Sequence, residues 1–273
     1  MIIMHKNEVL WFGLINDWRD EFFEHDEISD QNSIYTRMDM ISDVARSSDT
    51  IFVIDAGSPS YTFPARYSFK LNQRLISSPS QADMGWAIPA SVGVALSEPD
   101  KNVIVVVGDG SFMSNIQELA VIKQHNLPIK IIVFNNNGYL SIKNTQNNFY
   151  NNRVHGVDDK SGLYFPDLEN IAKSFGFNYV KFDIITKLVN ILASDVDRLD
   201  KCINENNEPT IIEMMCLENE EIIPSQNFKI GLDGKKIQAG LDDMYPFLPE
   251  ETMEYFNTLN QDYKILDISE KFR

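Results

Sequence analysis

Two runs of β-branched residues constrain this chain most. One run reads NVIVVVGDG and the next IKIIVFNNNG, and a helical pattern, NIQELAVIKQHN, lies between them. Continuous apolar runs of this length, lacking the polar alternation of a half-exposed strand, are strands covered on both faces. Further units repeat the alternation. TRMDMISDVARS reads as an amphipathic helix, TIFVIDAG as a strand, DMGWAIPASVGVALS as a buried helix and FPDLENIAKSFGF as a helix ended by glycine. NYVKF then reads as a strand, TKLVNILASDVDRLDKCINE as a long helix and PTIIEMMCL as a last strand. Strand–helix alternation with apolar strands predicts an α/β fold, an open, mainly parallel sheet with helices on both faces. The expected organisation is an extension over 1–34, one domain over 35–218, and a polar, Pro-rich tail over 219–273 that contacts a partner.

Composition excludes several classes. A formal charge of −16 over 273 residues repels nucleic acid and anionic membrane surfaces. A local anion site is still compatible with it, because helix-start N–H groups bind phosphate whatever the net charge. The two cysteines, Cys202 and Cys216, lack zinc-site spacing and read as buried free thiols. The opening MIIMHKNEVLWFGLIN has neither a basic leader nor a cleavage site, and no run approaches a membrane span of roughly 18 residues. The expectation is a soluble cytoplasmic protein.

Ligands of open parallel sheets bind where the strands end. One strand ends in Gly108-Asp109-Gly110-Ser111 directly before a helix, and the next in Asn135-Asn136-Asn137-Gly138. Glycines on both sides of an aspartate permit a tight turn and a close approach of backbone to ligand. Neighbouring strand ends can offer a carboxylate and an amide oxygen to one hard cation. Magnesium takes six oxygens, often two of them from a bound diphosphate. Asp109, Asn136, a backbone carbonyl near Gly138, two diphosphate oxygens and a water would complete such a shell. Taken singly, GDG is also compatible with an ordinary turn and the Asn cluster with a cap. GxxxxGK[ST] is absent and GDGSFM lacks the third glycine of GxGxxG, which disfavours an ordinary nucleotide fold.

The segment GDGSFMSNIQELAVIKQHNLPIKIIVFNNNGYLSI resembles the signature of thiamine-diphosphate (ThDP) enzymes in its acetolactate-synthase-like form. Asn136 follows Asp109 by 27 positions, the step between that family's two side-chain metal ligands. The resemblance implies Mg2+ ligation by Asp109, Asn136 and the Gly138 carbonyl, and cofactor contacts from Gly108, Gly110, Ser111 and Tyr139. Asp55-Ala56-Gly57-Ser58-Pro59-Ser60 resembles the loop that holds the outer end of the diphosphate, with Ser58-Pro59 where relatives carry Gln-His; Gly57, Ser58 and Ser60 are its candidate contacts. Ala82-Asp83-Met84-Gly85 stands in place of Gly-Ala-Met-Gly, so the resemblance puts Met84 beneath the bent cofactor and Ala82 at its pyrimidine edge. GYLSIKNTQNNFY and the late GLDDMYPFLPEE are similar to proteins of polysaccharide clusters.

In this family a glutamate on a separate domain activates the pyrimidine, and the cofactor then attacks a 2-keto acid. Nothing before Ile34 is long enough for that domain, and Glu21, Glu24 and Glu27 sit in an acidic stretch. The expectation is that no catalytic residue lies in this chain and that a partner subunit supplies the glutamate in a hetero-oligomer, α2β2 being one arrangement. The implied reaction is decarboxylation of a 2-keto acid such as pyruvate and ligation to an acceptor carbonyl. Alternatives are decarboxylation of a sulfo- or phosphonopyruvate and a non-catalytic partner-binding subunit. His125 and His155 read as surface histidines.

Overall fold

The computed structural model describes residues 32–78, 80–183 and 191–223, together with parts of 225–258. Glu21, Glu24, Glu27, part of GLDDMYPFLPEE and the first part of the helix pattern TKLVNILASDVDRLDKCINE lie outside the described residues. The chain divides into two compact units, Ile28–Glu221 and a second formed by Met1–Glu27 with Ile222–Arg273.

The larger unit is an α/β domain. Its elements run α1 (Ile34–Val44), β1 (Thr50–Ile54), α2 (Ser58–Arg66), β2 (Arg74–Ile76), α3 (Ala87–Ser97), β3 (Asn102–Gly108), α4 (Asp109–Ser114) and α5 (Glu118–Gln124). They continue with β4 (Lys130–Asn135), α6 (Leu140–Phe149), α7 (Leu168–Phe175), β5 (Asn178–Phe182), α8 (Ile191–Asp200) and β6 (Thr210–Met215). The six strands form one sheet in the order β2-β1-β3-β4-β6-β5, every neighbouring pair parallel. β3 and β4 occupy the centre because both of their faces are apolar; Val103–Val107 and Ile131–Phe134 are all buried.

Side-chain alternation sends Val103, Val105, Val107, Ile131 and Val133 to one face, where Ala87, Ile88, Leu119, Ile122, Leu168 and Ala172 of α3, α5 and α7 cover them. Each such side chain contributes about 1.5–3 kcal/mol on burial. On the other face Phe52 meets Phe63 and Tyr67 at ring-centroid distances of 4.9 and 4.7 Å. α1 lies beside α2 and α8, and its buried Arg37 donates to the carbonyls of Met215 (3.2 Å) and Asp183 (2.8 Å) at the ends of β6 and β5.

Three local readings change. α3 is not buried all round: Leu96 is 55 % exposed and Gly93 faces open space. The Ser58-Pro59-Ser60 loop is the first turn of α2, where proline fits because first-turn N–H groups have no intrahelical partner. The stretch after Tyr139 holds the ten-residue helix α6, which buries only Leu140 and so carries little apolar periodicity. In the smaller unit, β7 (Phe228–Ile230) and β8 (Lys236–Gln238) form an antiparallel hairpin. Cys216 is buried and Cys202 partly buried, both as free thiols. Among the described residues no helix is long and apolar enough to cross a membrane.

Candidate functional site

The central strands deliver their ends to one cleft. β3 ends at Gly108 and α4 starts at once, so Asp109 sits where the chain turns from sheet to helix. β4 ends at Asn135, and Asn137 follows at φ 59°, a left-handed conformation that asparagine tolerates better than most residues. That reversal returns the chain over Asp109. The Asp109 carboxylate accepts from Gly110 N at 2.7 Å and Gly138 N at 2.9 Å. Burial pushes this carboxyl up to about 7, more strongly than the N–H bonds pull it down. The carboxyl is nearly buried, and among the described residues the cleft lining contains no Lys, Arg or His. Lys143, which follows the cleft-lining Ile142, pairs instead with Asp158 at 3.0 Å.

Asn136 is 8 % exposed, and its Oδ1 is a buried oxygen without a hydrogen-bond partner. Such an atom costs about 1–3 kcal/mol unless something else satisfies it. The Gly138 carbonyl accepts only a 3.1 Å contact from Leu140 N, leaving a second lone pair. Among the described residues no three His, Cys, Asp or Glu side chains cluster as a metal site. The available donors here are therefore one carboxylate, one amide oxygen and a main-chain carbonyl, an all-oxygen set suited to a hard cation that also draws on a bound ligand.

Of the residues singled out in the sequence, Gly57, Ser58, Met84, Gly108, Asp109, Gly110, Ser111, Asn136, Gly138 and Tyr139 line this cleft. Ser60 and Ala82 do not. They line a second hollow on the far side of Ala56, with Tyr61, Ser78, Asp83 and Trp86. The Ser60 hydroxyl is spent on the Gly57 carbonyl at 2.8 Å. The Tyr139 ring lies against Gly110, where a Cβ would stand 2.1 Å from its Cε1. Met84 is 42 % exposed at the cleft's edge. His125 terminates α5, and His155 sits in the exposed turn after α6, joined through its main chain to Gln146.

Two residues escaped the sequence reading. Asp55, at the end of β1, is 1 % exposed and accepts from Ala56 N (2.9 Å), Gly85 N (2.9 Å) and Ala87 N (2.8 Å), and from the Ser111 hydroxyl. It ties the Met84 segment and α4 to the strand. Burial raises its carboxyl above the ordinary aspartate range, and the N–H bonds oppose that. Its position at a strand end was the available signal. Ser141, in the first turn of α6, also lines the cleft, where N–H groups have no intrahelical partners; its polar neighbourhood gave no sequence signal.

Residues 55–214 match the family described as thiamine pyrophosphate enzyme, C-terminal TPP binding domain. The chain belongs to this family. Asp55 opens the matched region, and Asp109, Asn136 and Gly138 lie within it. The acetolactate synthase large subunit of Lactococcus lactis is 34 % identical over 177 residues, which cover 64 % of this chain and 28 % of that protein. Acetolactate synthase 2 of Zea mays is 33 % identical over 162 residues, 58 % of this chain and 24 % of the relative. A thiamine diphosphate-dependent 4-hydroxybenzoylformate decarboxylase from Rhodococcus jostii RHA1 shares the fold. It superposes with a TM-score of 0.58 at 22 % identity, over 69 % of this chain and 33 % of the other. The chain thus spans about a quarter of the length of the acetolactate synthases it matches. It is an acetolactate-synthase-like TPP-binding domain.

Proposed function

We propose that this chain holds the diphosphate end of ThDP through Mg2+ and forms one half of the active site of a 2-keto-acid enzyme. The observation that carries the reading is the buried, unpartnered Asn136 Oδ1 in the same cleft as the buried carboxylate of Asp109. Both defects disappear together if a divalent cation binds: the carboxylate gains a counter-charge and the amide oxygen a ligand bond. Asp109, Asn136 Oδ1 and the Gly138 carbonyl would hold the metal, with diphosphate oxygens completing its shell. The Ser58 and Ser141 hydroxyls and first-turn N–H groups would meet the remaining diphosphate charge in a cleft whose lining, among the described residues, has no cationic side chain. Met84, at the cleft's edge, would contact the cofactor, and Asp55 holds the Met84 segment in place through Gly85 and Ala87.

When bound, ThDP supplies the nucleophile that attacks a 2-keto carbonyl and accepts the electrons released on loss of CO2. The chain's own residues bind and orient it. The activating glutamate is proposed to come from a pyrimidine-binding partner subunit in a hetero-oligomer; among the described residues none lines this cleft. The substrate class is a 2-keto acid such as pyruvate, with the acyl unit passed to an acceptor carbonyl. Identity above 30 % to acetolactate synthases supports carboligation over simple decarboxylation.

Titration calorimetry of ThDP into the full chain, with and without Mg2+ and repeated on Asp109→Ala, tests the site. Magnesium-dependent heat that the substitution removes is the expected result. Absence of such heat in the lone chain and also in its co-purified complex overturns the reading.

A further inference from the structure

Glu213 is a buried carboxylate on the strand next to the sheet's β5 edge, outside the cleft. It stands on β6 at 4 % exposure, opposite Val133 of β4 and Lys181 of β5. A charge on a buried strand is costly unless it is paired. Its nearest cation, Lys181 Nζ, is 3.9 Å away, 40 % exposed, and shared with Asp183 at 3.5 Å. Two neutral donors satisfy it more closely: Tyr179 donates its hydroxyl to Oε2 and Asn135 its Nδ2 to Oε1.

This contact fixes which way the Asn135 amide points. With Nδ2 on the carboxylate, Oδ1 faces the other way and accepts from Asn137 N at 2.9 Å. The Asn135 main-chain carbonyl is held as well, by Cys216 N at 2.8 Å. These bonds hold the turn in which Asn137 stands at φ 59°. The same turn brings Gly138 N to 2.9 Å from Asp109 Oδ2 and buries the Asn136 amide with its oxygen unpaired.

We infer that Glu213 is a positioning residue for the metal: through Asn135 it holds the Asn136–Gly138 turn in the conformation that presents its oxygens alongside Asp109. The inference rests on the cofactor reading above and adds an outer residue to it. Outer partners of metal ligands act by orientation, and their loss weakens metal affinity by about 10–100-fold.

The test uses Mn2+ in place of Mg2+. Free Mn2+ is followed by electron paramagnetic resonance in the full chain, with its co-purified partner where one is present, at saturating ThDP. Glu213→Ala and Asn135→Ala are each expected to raise the Mn2+ Kd by about 10–100-fold. Glu213→Gln keeps an oxygen for Asn135 Nδ2 and is expected to stay within about threefold of the wild type. A purely structural role would lower the unfolding temperature of Glu213→Ala while leaving the Mn2+ Kd and bound line shape of the folded protein unchanged. That result overturns the inference. If Glu213→Ala does not fold, Asn135→Ala decides by the same readout, an unchanged Kd again overturning it. No ThDP-dependent Mn2+ binding in the wild type would instead defeat the cofactor reading itself, and this inference with it.

Discussion

Two glycines of the strand-end motifs face opposite surroundings, and exchanging each for alanine separates packing from ligand contact. At Gly138 an added Cβ would stand 2.4 Å from the Val157 carbonyl oxygen and 3.3 Å from Asp158 Cβ. The obstacle is mostly backbone, so about 1 Å of main-chain retreat is needed to restore ordinary contact. That retreat opens the Gly138–Asp158 bridge and the 2.8 Å bond from Tyr139 N to Val157 O. One lost hydrogen bond costs about 0.5–1.5 kcal/mol, and a buried group left unpaired about 1–3 kcal/mol. Alanine returns roughly 0.4–1 kcal/mol through the unfolded chain. The net expectation is a loss of about 2 kcal/mol, or a midpoint lower by about 5 °C. Gly108 is the comparator: at φ −79° nothing lies within 4 Å of its added Cβ, yet it lines the cleft. Gly108→Ala is expected to unfold within about 0.5 kcal/mol of the wild type while weakening ThDP binding, because its methyl enters the cleft. Urea unfolding of the ligand-free full chain, with ThDP calorimetry alongside, measures both. A Gly138→Ala variant as stable as the wild type, or one no less stable than Gly108→Ala, would refute the reasoning.

Asp55→Asn keeps the size of the side chain but replaces one acceptor oxygen with a donor. One of the Gly85, Ala87 and Ala56 N–H groups loses its partner, so a loss of about 2 kcal/mol is expected, together with weaker ThDP binding through the Met84 segment; unchanged binding would dissociate Asp55 from the cleft. Lys130 offers a pH prediction. Burial lowers its ammonium to about 8, while its Nζ donates to the carbonyls of Glu208 (2.7 Å) and Pro128 (3.2 Å). Between about 8 and the ordinary lysine value of 10.5 the unfolded chain binds more protons at this site, so the residue's contribution to stability rises with pH across that window. Urea midpoints of wild type and Lys130→Met at pH 7 and pH 9.5 isolate it: the wild type should gain on the variant at the higher pH, and a constant difference would count against the burial argument.

The legible parts of the sequence were those in which local chemistry dominates. Central strands are buried on both faces, so β3 and β4 stand out as unbroken apolar runs, and their ends locate the cleft. α6 was not legible. Its sequence, LSIKNTQNNF, buries one residue and is rich in asparagine, a poor helix former, so neither periodicity nor propensity marks it. Ser60 and Ala82 follow the motif in sequence but turn to the neighbouring hollow, because Ser60 caps its own turn and Ala82 stands at φ 53°.

By itself, then, the sequence determined the class of fold and the two strand ends whose oxygen-bearing residues meet in the cleft. Burial pattern, turn chemistry and donor type are properties of short segments. Tertiary structure alone decided the strand order β2-β1-β3-β4-β6-β5, the bonds by which Asp55 and Glu213 brace the cleft from outside, and which asparagine keeps an unpaired oxygen. Asn135 and Asn136 are the same residue one position apart. The neighbouring strand's carboxylate engages the first amide, whereas the oxygen of the second is buried and unpaired.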